Sequence, residues 1–303
     1  MTRLLFVGFL ALLSMVAPSA GDWSNDLEEA QKIAAKEKKD LYLVFLSTDS
    51  SGACQQLEKR ILSSDKFNSL AEEKFVLVKI DLPMKKRLQK ENHEGLLQLA
   101  NKFGVGGAFP VALYLDSRGR PYHREAGVMP GGPQEYAGHV LSMQKKRENR
   151  EKALEETAKL SGLKKAEAMV ELLKALPDEV VVNFYSEEME ELARLDPEDT
   201  LKFRKEKVMN HAYAELESSV KKVFYKDGYG EVVKLVDEFL EKHQPEGAMK
   251  QKVLFRKLAA LNYDGQKESA LKVADKIIAI RPDSSHGRFA AQIKAKIQKQ
   301  LGR

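Results

Sequence analysis

The sequence predicts an α/β domain followed by an all-α helical-repeat domain. Three observations carry that expectation. From Leu27 to about Arg147, short apolar runs alternate with stretches of helical spacing, the signature of a sheet covered by helices. After Lys145 almost no strand pattern remains. Near the C-terminus, two segments share a D-G start and a proline at the same offset, which marks an internal repeat.

The 303 residues suit about two domains. A hydrophobic content of 43% and a charged content of 31% exclude a disordered chain. The net charge is +5, but Lys and Glu are mixed throughout, as on solvated helix faces. No block of like charge supports nucleic acid as a partner.

The N-terminus has its own pattern. Arg3 supplies a positive start, Leu4 to Val16 is apolar, and small residues surround Ala17, Ser19, Ala20 and Gly21. This predicts a secretory signal peptide over 1–20, cleaved near Ser19 to Gly21. The apolar run is short for a span of about 20 residues, so no stable membrane insertion is expected after cleavage. A periplasmic or secreted location follows.

The elements of the first domain, expected over 21–147, come in order. Leu27, Ala30, Ile33 and Ala34 have helical spacing behind Asp26 and Glu28. LYLVFL reads as a buried strand. CQQLEKRILSSDKFNSLAEE reads as helix, FVLVKIDL as strand, and HEGLLQLANKFG as a helix capped at Gly104. FPVALYLD is a third strand, closed by the turn SRGR, and PYHREAG a fourth. GGPQEYAGHVLSMQKKRE reads as a closing helix.

Three features then resemble the thioredoxin-like family. They are LYLVF running into a loop and C-x-x-L at a helix start, the segment KFGVGGAFPVALYLDSRG, and the late glycine of HREAG. The resemblance covers Trp23 to Arg147. It implies that Pro110 is the cis-proline facing the active-site loop, and that Phe109 and Pro110 form a groove for extended chain. It places the redox loop at Ser51, Gly52, Ala53 and Cys54. The family's first cysteine, the attacking one, is here Ser51; the second, the resolving one, is Cys54. A serine hydroxyl is barely ionised at neutral pH and does not exchange with disulfides. Ser50 stands where a tryptophan often precedes the tetrad. The family's buried acid falls on Val44 or Phe45, both apolar.

Cys54 is the only cysteine. As a buried thiol it is a small apolar residue. As a catalytic one it would form mixed disulfides with a partner. One cysteine with scattered histidines lacks metal-ligand spacing, and no cofactor motif is present. S-G-A-C is not the G-x-S-x-G of a serine hydrolase. His93, beside Glu94, is expected to be solvated, and His123 to lie at a strand-end surface. GVGGAF is followed by no G-K-[ST], so it is no phosphate loop; its glycines are expected to allow close backbone approach.

The second domain is expected over 148–303. Gly228 and Gly265 are 37 residues apart, and each is followed by a proline 17 residues on, Pro245 and Pro282. The period resembles that of tetratricopeptide repeats, about 34 residues. KVLFRKLAALNY would be the first helix of the second unit and SSHGRFAAQIKAKIQKQ a terminal cap. KKAEAMVELLKALP and EEMEELARLDP suggest earlier, degenerate helices. VVVNF is ambiguous. Tyr225, Tyr229, Tyr263 and Phe289 either line a groove or fill the core.

The expected function is an exported thioredoxin-like protein that lacks the attacking cysteine and binds proteins or peptides in the cell envelope. The alternative is a one-thiol disulfide exchange or isomerase enzyme using Cys54. A third reading is a purely structural scaffold for envelope proteins.

Overall fold

The computed structural model describes residues 23–84, 90–224 and 228–302. The expected signal peptide lies outside them. The described chain divides into two compact units, through Lys159 and from Leu160.

The first unit opens with α1 (Leu27–Glu37), capped by the Asp26 carboxylate on the Glu28 and Glu29 N–H groups. β1 (Asp40–Leu46) follows and is buried on every residue. α2 (Gly52–Leu57) continues into a π-helical turn, Glu58–Leu62, and α3 covers Asp65–Ala71. The single helix read from this stretch is therefore interrupted. Ser64 adopts extended geometry between two segments with the same apolar spacing. β2 (Phe75–Asp81), α4 (Lys90–Lys102), β3 (Val111–Leu115) and β4 (Pro121–Ala126) come next. The closing helix is split at Met143 into α5 (Pro133–Ser142) and α6 (Gln144–Ala158).

The strands form one sheet in the order β2-β1-β3-β4. β1 runs parallel to β2 and antiparallel to β3, and β4 is antiparallel to β3. Alternation along β1 sorts its side chains by face. Tyr42, Val44 and Leu46 join Cys54, Leu57, Phe67, Tyr136 and Val140 in one core. Phe45, on the opposite face, meets the Phe103 ring at 6.0 Å. Trp23 ties down the start of the described chain. Its indole N–H donates to Leu62 O at 3.0 Å and to Asn68 Oδ1 at 3.1 Å.

Two ion pairs hold α6 against this unit. Arg147 reaches Asp40 at 3.1 Å, and Arg150 reaches Asp116 at 2.7 Å. Burial raises the Asp40 carboxyl; Arg147 and the Tyr122 hydroxyl pull the other way without fully offsetting it. Asp116 ends lowered despite its burial, because the Arg120 N–H and the Arg150 side chain donate to it.

The second unit is helical: α7 (Gly162–Leu173), α8 (Asp178–Phe184), α9 (Ser186–Leu195), α10 (Arg204–Phe224), α11 (Tyr229–His243), α12 (Gly247–Tyr263), α13 (Lys267–Ile280) and α14 (Ser285–Gln300). The ambiguous VVVNF lies within α8. Pro177 before the helix and Asp178 and Glu179 in its first turn are start signals that outweigh three β-branched residues. From α10 to α14 each helix packs on the next, and α12 also touches α14. Gly228 and Gly265 both have positive φ, 82° and 79°, which explains a glycine at each repeat start.

Candidate functional site

The loop between β1 and α2 is built from its own hydroxyls. Ser47 is fully buried, and its Oγ lies 2.6 Å from Ser50 Oγ. The Ser50 and Ser51 N–H groups donate to Ser47 O at 3.2 and 2.9 Å. Asp81 accepts from Thr48 N–H at 2.9 Å and also from the Thr48 hydroxyl. Gln55 Nε2 donates to Thr48 O at 2.7 Å. These bonds come from both sides of the loop and hold it in one conformation.

Ser51 is the N-cap of α2. Its Oγ accepts from Cys54 N–H at 3.3 Å and donates to Phe109 O at 3.4 Å. Gly52 and Ala53 are exposed, whereas Cys54 is fully buried and unpaired by any disulfide. Ser47 N–H approaches the Cys54 Sγ at 3.4 Å. Of the two positions where the family's acid could fall, Val44 shares the Cys54 core and Phe45 faces away. The thiol therefore rests on an apolar floor, three residues after the Ser51 hydroxyl that caps its helix.

The Phe109–Pro110 peptide bond is cis. Pro110 is buried, and its carbonyl accepts from Gly127 N–H at 2.8 Å. That bond brings the start of the segment after β4 beside the proline. Phe109 is half-buried and packs against the Cys54 core. The glycines before it do not serve close approach. A Cβ at Gly106 or Gly107 would meet nothing within 4 Å. Gly107 is instead needed for its φ of +80°, which a side chain would strain. Around the loop Gly52, Ala53, Gly106, Gly107, Ala108, Gly127 and Val128 are exposed, together with Asp81, whose carboxylate holds Thr48. Met84, 55% exposed, donates its N–H to Asp49 Oδ1 in the same loop.

A second cluster escaped the sequence reading. Glu125 on β4 accepts from Tyr114 Oη at 2.9 Å and pairs with His139 Nε2 at 2.9 Å and His123 Nε2 at 3.3 Å. Burial alone would raise this carboxyl, but hydrogen bonds from His123, His139 and Tyr114 win and hold it at about 2. His123 is thus not a strand-end surface residue. It is half-buried within β4 and stacks on Tyr114 at 5.7 Å. The spacing of His123 and Glu125, two apart on a strand, puts them on one face and was the only available signal. His93 is also not simply solvated: its Nδ1 is buried without a partner.

In the second unit, Tyr229 stacks on Tyr263 with centroids 5.7 Å apart and planes 13° apart. Tyr263 is 71% and Phe289 54% exposed, so neither fills a core. Tyr225 lies outside the described residues. Among the described residues, no group of three or more His, Cys, Asp or Glu could hold a metal, and no helix is long and apolar enough to cross a membrane.

Residues 27–139 match the thioredoxin-like domain family. One relative is the thioredoxin-related protein DsbJ of Chlamydia pneumoniae, 29% identical over 103 residues. The match takes in 34% of this chain and 29% of DsbJ, so it spans under a third of that protein's length. Among solved structures, a DsbH oxidoreductase is 26% identical, with 46% of this chain and 95% of that one covered and a TM-score of 0.38. The N-terminal region of this chain, built on the β2-β1-β3-β4 sheet, is a thioredoxin-like α/β domain, and a helical region follows it.

Proposed function

We propose that this is an exported thioredoxin-like protein that has given up dithiol chemistry and binds extended protein or peptide segments in the cell envelope. One observation carries the reading. The residue in the attacking seat is Ser51, whose hydroxyl caps α2, while the only thiol, Cys54, is fully buried. A disulfide substrate meets no accessible thiolate there. What remains of the site is a hydrogen-bonded loop beside the Phe109–Pro110 edge, with Val128 and Met84 exposed and the Asp81 and Asp49 carboxylates on the loop. An extended chain could add to that edge through backbone hydrogen bonds and rest apolar side chains on Val128 and Met84. The helical region, read as a divergent tetratricopeptide-like repeat over 148–303, would offer a second peptide-binding face. The apolar leader over 1–20 supports export to the periplasm or beyond.

The test uses the full chain without its leader. Fluorescence anisotropy with reduced, carboxymethylated α-lactalbumin as an unfolded, thiol-blocked probe should show saturable binding that Val128→Asp weakens. An insulin-reduction assay should stay at background. Turnover of insulin at rates typical of dithiol catalysts would overturn the reading.

A one-thiol exchange activity has one observation in its favour. Ser47 N–H lies 3.4 Å from Cys54 Sγ, so the lone thiol has a polar neighbour in its otherwise apolar setting. Mixed disulfides trapped in cells and lost in Cys54→Ala would establish that activity.

A further inference from the structure

Two helices of the second unit concentrate positive charge. Neither α12 nor α14 contains an aspartate or a glutamate, in a chain that holds 45 of them. The two helices pack together: the Phe255 ring of α12 meets His286 at 5.4 Å and Phe289 at 6.4 Å, both on α14. Part of their charge is used inside the unit. Lys257 pairs with Asp237 on α11 at 2.5 Å, and Lys294 with Asp275 on α13 at 2.6 Å.

Other cations gather on one face. Lys252, Arg256, Ala259 and Tyr263 follow one another at i, i+4, i+7 and i+11, a single stripe of α12, and none of them is buried. Among the described residues Lys252 meets no carboxylate; its ammonium lies 4.1 Å from the centroid of the Tyr213 ring on α10. Arg256 gives its Nε and Nη2 to Glu217 at 2.6 and 2.5 Å, which leaves Nη1 for a further acceptor. Burial, and then the charges of Lys252 and Arg256, push the His286 imidazole below its usual value, so His286 lies in the same positive field. Phe255 and His286 are half-buried, whereas Lys252, Arg256 and Phe289 are exposed. The two half-buried rings are thus a floor, and the cations and Phe289 are its rim. A flat anionic membrane would reach the rim but not the recessed rings; a polypeptide side chain reaches both.

We propose that the α12–α14 face docks an acidic segment of a partner protein, with carboxylates on Lys252 and Arg256 and an apolar side chain over Phe255 and Phe289. This rests on the reading of the helical region as a peptide-binding face and names the chemistry of its ligand. Charge complementarity selects the segment, and the rings supply the apolar contact that charge alone lacks.

The experiment measures anisotropy of a short fluorescein-labelled Asp/Glu/Phe peptide on the full chain without its leader. Binding should saturate and weaken as salt rises, and a Lys/Phe peptide should not bind. Lys252→Glu should weaken binding about tenfold; Lys250→Glu, the same change of charge two residues away and off the stripe, should cost less than about twofold. Phe289→Ser, at an exposed position that the fold does not need, should cost about fivefold through lost apolar contact. Equal losses in Lys252→Glu and Lys250→Glu overturn the proposal, as does cosedimentation with phosphatidylglycerol vesicles in place of peptide binding. If the acidic peptide fails to bind while α-lactalbumin still binds, this face alone is overturned. If neither probe binds, the peptide-binding reading falls with it.

Discussion

Gly287→Ala should destabilise the helical unit, although helix propensity says the opposite. Gly287 lies in the first turn of α14, where its N–H donates to the Ser284 N-cap at 2.9 Å. In an open helix, alanine would gain up to about 1 kcal/mol over glycine. Here an added Cβ would sit 2.2 Å from Arg281 O and 2.6 Å from Pro282 O. Both are backbone atoms and cannot rotate away. The Arg281 carbonyl is also held by Gln251, 1% exposed, whose Nε2 donates to it and to Ile277 O at 2.8 Å each. Overpacking costs about 1–3 kcal/mol. Loosening one or both Gln251 bonds adds about 1 kcal/mol each. Set against the propensity gain, the net loss is about 2 kcal/mol. For a unit the size of Leu160–Arg303 this lowers the midpoint by about 4–8 °C. Differential scanning calorimetry of the full chain checks it. Gly230→Ala in α11 is the control, because nothing lies within 4 Å of its added Cβ and it should hold or raise the midpoint. A Gly287→Ala chain as stable as the wild type would refute the packing argument.

The remaining predictions concern the first unit. Cys54 in the native protein should react with iodoacetamide far more slowly than in guanidinium chloride, since it is fully buried; comparable rates would contradict the burial. Ser51→Cys should create a C-x-x-C pair whose thiol count falls to zero after air oxidation. Its insulin reduction should still lag behind dithiol catalysts, because Val44 supplies no buried acid beneath Cys54. Glu125, held at about 2 against a usual 4.5, contributes stability above pH 4.5 that is lost as pH falls towards 2. Its side chain is 32% exposed, so solvent screening trims the contribution to about 2 kcal/mol. Glu125→Gln should flatten that part of the stability curve in urea titrations between pH 5 and 2.

Much of the fold was legible because it rests on local periodicity. Apolar runs at β1, β2 and β3 and helical spacing at α1 and α4 are written in the order of residues. Pro110 and Gly104 punctuate the chain where the resemblance places them. Breaks were less legible. Ser63–Ser64 and Met143 interrupt helices whose apolar spacing continues on both sides, so no periodic signal marks them. The segment forming α10 was not singled out, and with it the partner of α11 went unread.

The candidate site divides in the same way. That the chain holds one cysteine, that Ser51 stands three residues before it, and that Val44 and Phe45 are not acids are facts of composition and spacing. The proposal that this chain has given up dithiol chemistry starts from those facts. Which side chains meet is a matter of distance across the fold. The Ser51 hydroxyl on the Phe109 carbonyl joins residues 58 apart, and His139 on Glu125 joins residues 14 apart. Such pairings arise only when strand register and helix docking bring separate segments within hydrogen-bond range. Covalent order dictates the chemistry available at each position; packing chooses the partners with which it is used.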